Sequence, residues 1–288
     1  MTLKFPKIRF FFGLALLAAA AMLLSACTGG SLVNTWGNIA TDGQNVYLAN
    51  QNEVFALKAV DGSLVWRYPP KVDIATSFYA RPALADGLVM VPDYTNVVHF
   101  IDPATGNVKA VFDQQKSQGH MPGGAAIAGD LTLVGSSNRF LFALGSNATL
   151  KWKFEAKNGI WATPVADSTQ AYVAGMDHFL YALDLQTGRQ IWATDIGSAQ
   201  VGGPLLTAEG NVIAETISGD LWAINPQNGS VVWKQKLEGG VWSTPLLDNG
   251  ILYVGTDKNK IYAVSADKGS IVWQAAMPSP VIAGAGKL

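Results

Sequence analysis

One motif recurs along most of this chain at a nearly constant interval, and that recurrence limits the fold more than any other feature. The clearest copies are VYLANQNEVFALKAVDGSLVW (Val46 to Trp66), YVAGMDHFLYALDLQTGRQIW (Tyr172 to Trp192), VIAETISGDLWAINPQNGSVVW (Val212 to Trp233) and LYVGTDKNKIYAVSADKGSIVW (Leu252 to Trp273). Two weaker copies, LVMVPDYTNVVHFIDPATGNVKA and LTLVGSSNRFLFALGSNATLKW, lie between the first and second of these. One ends in Ala110 where a tryptophan would stand, the other at Trp152. The equivalent positions Ala56, Phe100, Ala143, Ala182, Ala223 and Ala263 are spaced by 44, 43, 39, 41 and 40 residues. A unit of that length cannot bury both faces of a sheet by itself, so neighbouring units must stack.

Each copy has the same internal order. Ile251-Leu252-Tyr253-Val254 is a β-rich run, and the polar turn Thr256-Asp257-Lys258-Asn259 follows it. Ile261-Tyr262-Ala263-Val264 is a second run, Asp267-Lys268-Gly269 a second turn, and Ser270-Ile271-Val272-Trp273 a third run. One more short strand precedes each unit, as in Trp161-Ala162-Thr163-Pro164-Val165, Val201-Gly202-Gly203-Pro204-Leu205 and Trp242-Ser243-Thr244-Pro245-Leu246. Four strands per repeat predict an all-β fold, a β-propeller of four-stranded antiparallel blades. The 49% hydrophobic and 14% charged residues suit sheets covered on both faces. There are six complete repeats and a partial seventh, because Pro280-Val281-Ile282 reads as the first strand of another blade and the chain ends at Leu288. Either the chain is a fragment of a larger propeller or six blades close with a partial seventh.

Ala182-Leu183-Asp184-Leu185-Gln186-Thr187-Gly188-Arg189-Gln190-Ile191-Trp192 resembles the docking motif Ala-x-Asp-x-x-x-Gly-x-x-x-Trp of the pyrroloquinoline-quinone-like repeat family. Ala56 to Trp66, Ala223 to Trp233 and Ala263 to Trp273 keep its alanine, glycine and tryptophan at the same spacing. The Phe100 to Ala110 copy loses both ends of the motif, and the Ala143 to Trp152 copy is one residue short and lacks the glycine. The resemblance implies that Trp66, Trp152, Trp192, Trp233 and Trp273 staple adjacent blades, with the glycine supplying a positive φ in the turn.

The amino terminus carries a different signal. Lys4, Lys7 and Arg9 precede an apolar run from Phe10 to Leu24, and Leu24-Ser25-Ala26-Cys27 matches the bacterial lipobox. Proteins with that motif are cleaved before the cysteine, whose nucleophilic thiol accepts a diacylglyceryl group. Residues 1–26 are therefore expected to be a lipoprotein signal peptide and 27–34 the lipidated Cys27 with its tether. Residues 35–288 would form the repeat domain. Thr28 is not an aspartate, which in a two-membrane cell favours the outer membrane under the rule that lipoproteins follow. Without residues 1–26 the chain holds 17 basic and 21 acidic residues, which gives no electrostatic reason to bind nucleic acid.

The family resemblance also raises quinone-dependent dehydrogenases, which are about twice as long and hold the quinone over an aspartate base and a calcium ion. Many use a disulfide between adjacent cysteines. Cys27 is the single cysteine here, and no residues match the cofactor set. No cofactor, metal or catalytic residue is expected. His99, His120 and His178 fall on different repeats as strand and loop residues, Asp177-His178 lacks a nucleophile, and no Gly-x-Ser-x-Gly elbow is present. Ala283-Gly284-Ala285-Gly286-Lys287-Leu288 fails as a phosphate loop for want of the first glycine and the final Ser or Thr.

Tyr79, Trp161 and Trp242 each stand three residues before the aligned proline, and Trp36 holds the matching place in the first repeat. Equal register would put the four at similar height, either rimming one mouth of the central channel as a binding surface or packed between blades as core. Two functional classes follow. One is a non-enzymatic, membrane-anchored scaffold that binds other envelope proteins; in build the chain resembles the propeller lipoproteins of the outer-membrane β-barrel assembly machinery. The other is a propeller that binds or senses a small molecule or cofactor in its funnel.

Overall fold

A computed structural model describes residues 39–284. The signal peptide, Cys27, the tether, Trp36 and the last four residues lie outside the described residues. Every described element of regular structure is a strand, and the strands form six antiparallel sheets of four. Blade 1 is β1 to β4 (Ile39–Thr41, Asn45–Asn50, Glu53–Lys58, Leu64–Tyr68), and blade 2 is β5 to β8 (Ala83–Ala85, Leu88–Pro92, Val97–Ile101, Val108–Asp113). Blade 3 is β9 to β12 (Ala126–Ala128, Leu131–Gly135, Phe140–Leu144, Leu150–Glu155), and blade 4 is β13 to β16 (Val165–Ala166, Gln170–Ala174, Phe179–Asp184, Gln190–Asp195). Blade 5 is β17 to β20 (Leu205–Leu206, Val212–Glu215, Asp220–Ile224, Val231–Lys236), and blade 6 is β21 to β24 (Leu246–Asp248, Ile251–Thr256, Lys260–Ser265, Ile271–Ala276).

Strand order within each sheet follows the chain, so every connection inside a blade is a hairpin. The first strands touch from blade to blade, β1 on β5, β5 on β9, β9 on β13 and β13 on β17, and these short strands are therefore the inner ones. They are shorter than the sequence suggested. In blade 4 the ladder begins at Val165, after Pro164, because proline has no N–H to donate and residues 161–164 form a connector instead. Residues 280–282 likewise form no strand. Val281 is a connector residue whose N–H donates to the Thr256 carbonyl, as Val241 does to Thr216.

The core consists of five apolar clusters, each shared by two consecutive blades. Blades 2 to 5 are covered on both sides, and their middle strands read as unbroken buried runs, such as β7 and β10. The middle strands of blade 1 (β3) and blade 6 (β22) alternate between buried and half-exposed instead. Among the described residues no cluster joins blade 6 to blade 1.

An indole crosses four of the five interfaces near the turn between the third and fourth strands. Trp66, Trp152, Trp192 and Trp233 donate their ring N–H to the carbonyls of Pro103 (2.8 Å), Leu185 (2.9 Å), Pro226 (2.7 Å) and Ala266 (3.0 Å) of the next blade. Three residues beyond each acceptor stands a glycine with left-handed φ: Gly106, Gly188, Gly229 and Gly269. A Cβ on Gly188 would lie 2.4 Å from the Trp152 ring, and one on Gly269 2.5 Å from the Trp233 ring. The backbone approaches the indole as closely as only glycine permits. Across each blade the tryptophan pairs with the small residue of the third strand, as in Ala182 with Trp192, and the register shifts just beyond it. The interface of blades 2 and 3 lacks both partners. Ala110 replaces the tryptophan, Ala148 takes the left-handed turn position, and Phe112 packs edge-on to Phe142 in that cluster.

Candidate functional site

Because the strands alternate in direction, the turns between second and third strands share one face with the connectors that lead from blade to blade. Each connector is laced to both blades that it joins. The N–H of Met176 donates to the Gly159 carbonyl at 2.8 Å and that of Ile160 to the Ser136 carbonyl at 3.0 Å. The next residues follow one pattern. Phe78, Met121, Ile160 and Val241 are buried plugs between blades. The residue after the plug turns toward solvent, and three of those positions are Tyr79, Trp161 and Trp242. Trp242 is the most exposed, at 41%, and its indole N–H donates to Asp257 Oδ2 at 3.3 Å. Tyr79 and Trp161 are half-buried. These aromatics therefore stand in connectors on one face, not on the inner strands where the sequence placed them.

Beside Tyr79 the aromatic surface widens. Tyr79 meets Tyr94 edge to face with ring centroids 5.3 Å apart, and Tyr94 stacks flat on His120 at 4.1 Å. The His120 Nδ1 lies 2.7 Å from the Tyr94 carbonyl oxygen. An open groove of about 630 Å³ runs past Tyr94 and His120, with polar walls from Thr95, Gln115, Ser117 and Gln118. Sequence reasoning treated His120 as an ordinary connector residue. The stack with Tyr94 joins two segments 26 residues apart, and no local pattern marks it.

His99 and His178 lie elsewhere. His99, on β7, is buried, with Nε2 2.8 Å from Asp93 Oδ2 and Nδ1 3.0 Å from the Tyr68 hydroxyl. Asp93 also accepts the N–H of Thr95 and Val97 and the Thr95 hydroxyl. Burial, then the Asp93 charge, raises the Tyr68 phenol above its ordinary value. This chain of polar groups joins blade 1 to blade 2 inside a packed interface. His178 holds a left-handed φ in the turn before β15. Among the described residues no group of three or more His, Cys, Asp and Glu could hold a metal ion.

The connector between blades 4 and 5 breaks the plug pattern. Gln200 stands where Ile160 and Val241 stand in its neighbours, and Glu215 stands at the β18 position occupied by Gly135, Ala174 and Gly255 in other blades. Both side chains are fully buried. Desolvation pushes the Glu215 carboxyl well above the ordinary carboxylate range, against the lowering effect of the hydrogen bond from Gln200. The carboxyl lies behind Gly202, where a Cβ would fall 2.2 Å from Oε1.

Of the five docking tryptophans, four lie in interfaces with their N–H satisfied, and Trp273 is 45% exposed at the outer face of blade 6.

A family profile described as outer membrane protein assembly factor BamB matches residues 24–122, 110–202 and 177–286. The outer membrane protein assembly factor BamB of Yersinia pestis is 24% identical over 235 residues, 76% of this chain and 58% of that protein. The chain thus spans little more than half the length of that relative. A tetrathionate hydrolase of Acidithiobacillus ferrooxidans is 25% identical over 210 residues, 72% of this chain but 38% of that enzyme. The crystal structure of BamB from Moraxella catarrhalis superposes with a TM-score of 0.58 at 17% identity, over 89% of this chain and 92% of that one. That likeness shows the β-propeller fold.

Proposed function

The chain belongs to the family described as outer membrane protein assembly factor BamB, and from that premise we propose that it is a non-enzymatic scaffold in outer-membrane protein assembly. In this reading Cys27 carries the lipid and holds the propeller at the extracytoplasmic side of the membrane. The connector face then receives other envelope proteins. One observation carries the placement of the contact: Tyr79, Trp161 and Trp242 reach solvent from equivalent connector positions beside buried plugs. Aromatic side chains on a rigid backbone give large contact area at low entropic cost, and such residues dominate protein interfaces. The tetrathionate hydrolase is similar over 38% of its own length, and a likeness over part of an enzyme does not carry its activity to this chain.

The test is affinity purification of the tagged full chain from gently solubilised envelopes, with the wild type beside Trp161→Ala/Trp242→Ala. Outer-membrane assembly proteins should co-purify with the wild type and be lost from the double variant, while circular dichroism stays unchanged. Equal recovery with both would refute the connector face as the contact. The Tyr94–His120 groove supports a second reading, a small-molecule site. It requires saturable binding that collapses on His120→Ala.

A further inference from the structure

The connectors between blades differ in length. Residues 156–164, 196–204 and 237–245 make connectors of nine residues each, whereas 69–82 has fourteen and 114–125 has twelve. In all five, one residue stands at the plug position, five places before the first strand of the next blade: Phe78, Met121, Ile160, Gln200 and Val241. The surplus therefore falls ahead of the plug, within 69–77 and 114–120. These two stretches flank the Tyr94 turn and wall the open groove beside it. Ala75 comes from one, and Gln115, Gln118 and His120 come from the other. The shared core has no need of such additions, and in repeat arrays they collect on the binding face.

The added segments are held in place. The fully buried Asn96 donates through Nδ2 to the Gln114 carbonyl at 3.0 Å and to Ser117 Oγ at 2.9 Å. His120 is tied to Ser137 twice, its N–H donating to Ser137 Oγ and its carbonyl accepting the Ser137 N–H, both at 2.8 Å. The Tyr94 N–H donates to the Ser77 carbonyl at 2.7 Å. The Tyr94 carbonyl can only accept, so His120 Nδ1 carries the hydrogen of that bond. In the neutral ring Nε2 is then an acceptor, and among the described residues it meets no donor. Nothing among them pairs with the Gln118 amide either.

The geometry points to a saccharide site on this groove. The inference rests on the small-molecule reading of the groove and names the class of its ligand. No Asp, Glu, Lys or Arg lines the walls among the described residues, so a charged ligand would find no counter-ion. An apolar ligand would cover Nε2 and the Gln118 amide without pairing them. An extended peptide needs pockets for alternate side chains, and apart from Ala75 and Gly119 these walls are polar or aromatic. A sugar ring uses what is present. Its C–H face lies on the stacked Tyr94–His120 pair, where the electron-rich face of an aromatic ring attracts polarised C–H groups. One hydroxyl donates to Nε2, and others meet the amides of Gln115 and Gln118.

Calorimetric titration of the full chain tests this, in a detergent without a sugar headgroup. The probes are maltohexaose, tetra-N-acetylchitotetraose and the uncharged peptide N-acetyl-Ser-Gly-Ser-amide. Saturable binding of at least one of the two sugars is expected, weakened about tenfold by His120→Ala and by Gln118→Ala. Gln118 is exposed, so its loss leaves the fold intact, and Trp242→Ala should leave sugar binding unchanged. Sugar binding that ignores both groove variants overturns the inference. Peptide binding that needs His120, with neither sugar bound, keeps a small-molecule groove and also overturns the saccharide. Silence from all three probes overturns both.

Discussion

Gln200 donates its side-chain N–H to Glu215 Oε2 at 2.8 Å, and neither side chain reaches solvent. The pair replaces an apolar plug and a glycine or alanine, so a carboxyl group sits where other blades keep only hydrocarbon and backbone. One donor is little compensation for losing water, which is why burial holds the carboxyl protonated above its ordinary range.

That arrangement makes stability depend on pH. The folded chain keeps the Glu215 proton over a range where the unfolded chain has already lost it. Stability is therefore greatest below the ordinary carboxyl value of 4.5 and falls as pH rises above it, until the raised folded value is passed. Glu215→Gln should remove this component. Melting curves from pH 4 to 8, as about the accessible window, should show a wild-type Tm that declines relative to the variant. Parallel curves would show that Glu215 does not titrate in this way.

Glycines of similar φ should differ sharply in what alanine costs. Gly210 (φ +87°) has open space where a Cβ would go, so Gly210→Ala carries only the backbone strain, about 1–2 kcal/mol. Gly188 (φ +69°) faces the Trp152 ring at 2.4 Å, so Gly188→Ala adds overpacking and should cost about 2–5 kcal/mol. Urea titration of both variants separates the two contributions.

Trp152→Ala should lose about 3–5 kcal/mol, because it empties a buried interface and leaves the Leu185 carbonyl without its donor. Trp273→Ala in dilute protein should lose under about 1 kcal/mol, since its ring is already half in water. Denaturation midpoints that do not differ would contradict the assignment of the indoles to interfaces.

Asp93→Ala should be as damaging as a core deletion. It strips one acceptor from the N–H of Thr95 and Val97, the Thr95 hydroxyl and His99 at once, three of them in or beside a buried strand end. A cost of about 2–4 kcal/mol is expected by chemical denaturation, with His99→Gln milder because Asp93 keeps its other donors.

Much of the architecture was legible because the repeat carries its own punctuation. Runs of β-forming residues ended by polar turns, most of them closed by a glycine at fixed spacing from the third-strand alanine, located the second, third and fourth strands of most blades. The inner strands were harder. Trp161-Ala162-Thr163-Pro164-Val165 looks like a strand in the alignment, but Gly159 and Ile160 just before it bond to turns of two blades, and only Val165 and Ala166 join the ladder. The aromatics were found by their shared spacing from proline, although that spacing gave the wrong element for them. The Tyr68–His99–Asp93 chain was invisible, since Tyr68 and His99 are 31 residues apart and meet only when blades 1 and 2 stack. Glu215 and Gln200 did leave a trace: each is the polar exception in its column of the aligned repeats.

The exchange of a bolt for two alanines at positions 110 and 148 leaves the second and third blades fastened along one rim. On the connector side the Ser136 hydroxyl donates to Asn96 Oδ1 at 2.8 Å, and the Ser137 N–H donates to the His120 carbonyl at 2.8 Å. On the opposite side the Phe112–Phe142 contact and the apolar cluster around it hold the seam, with no indole hydrogen bond among the described residues. Of the five seams this one is expected to loosen first on the side away from the connectors, so amide protons beside Ala148 should exchange sooner than those beside Gly188.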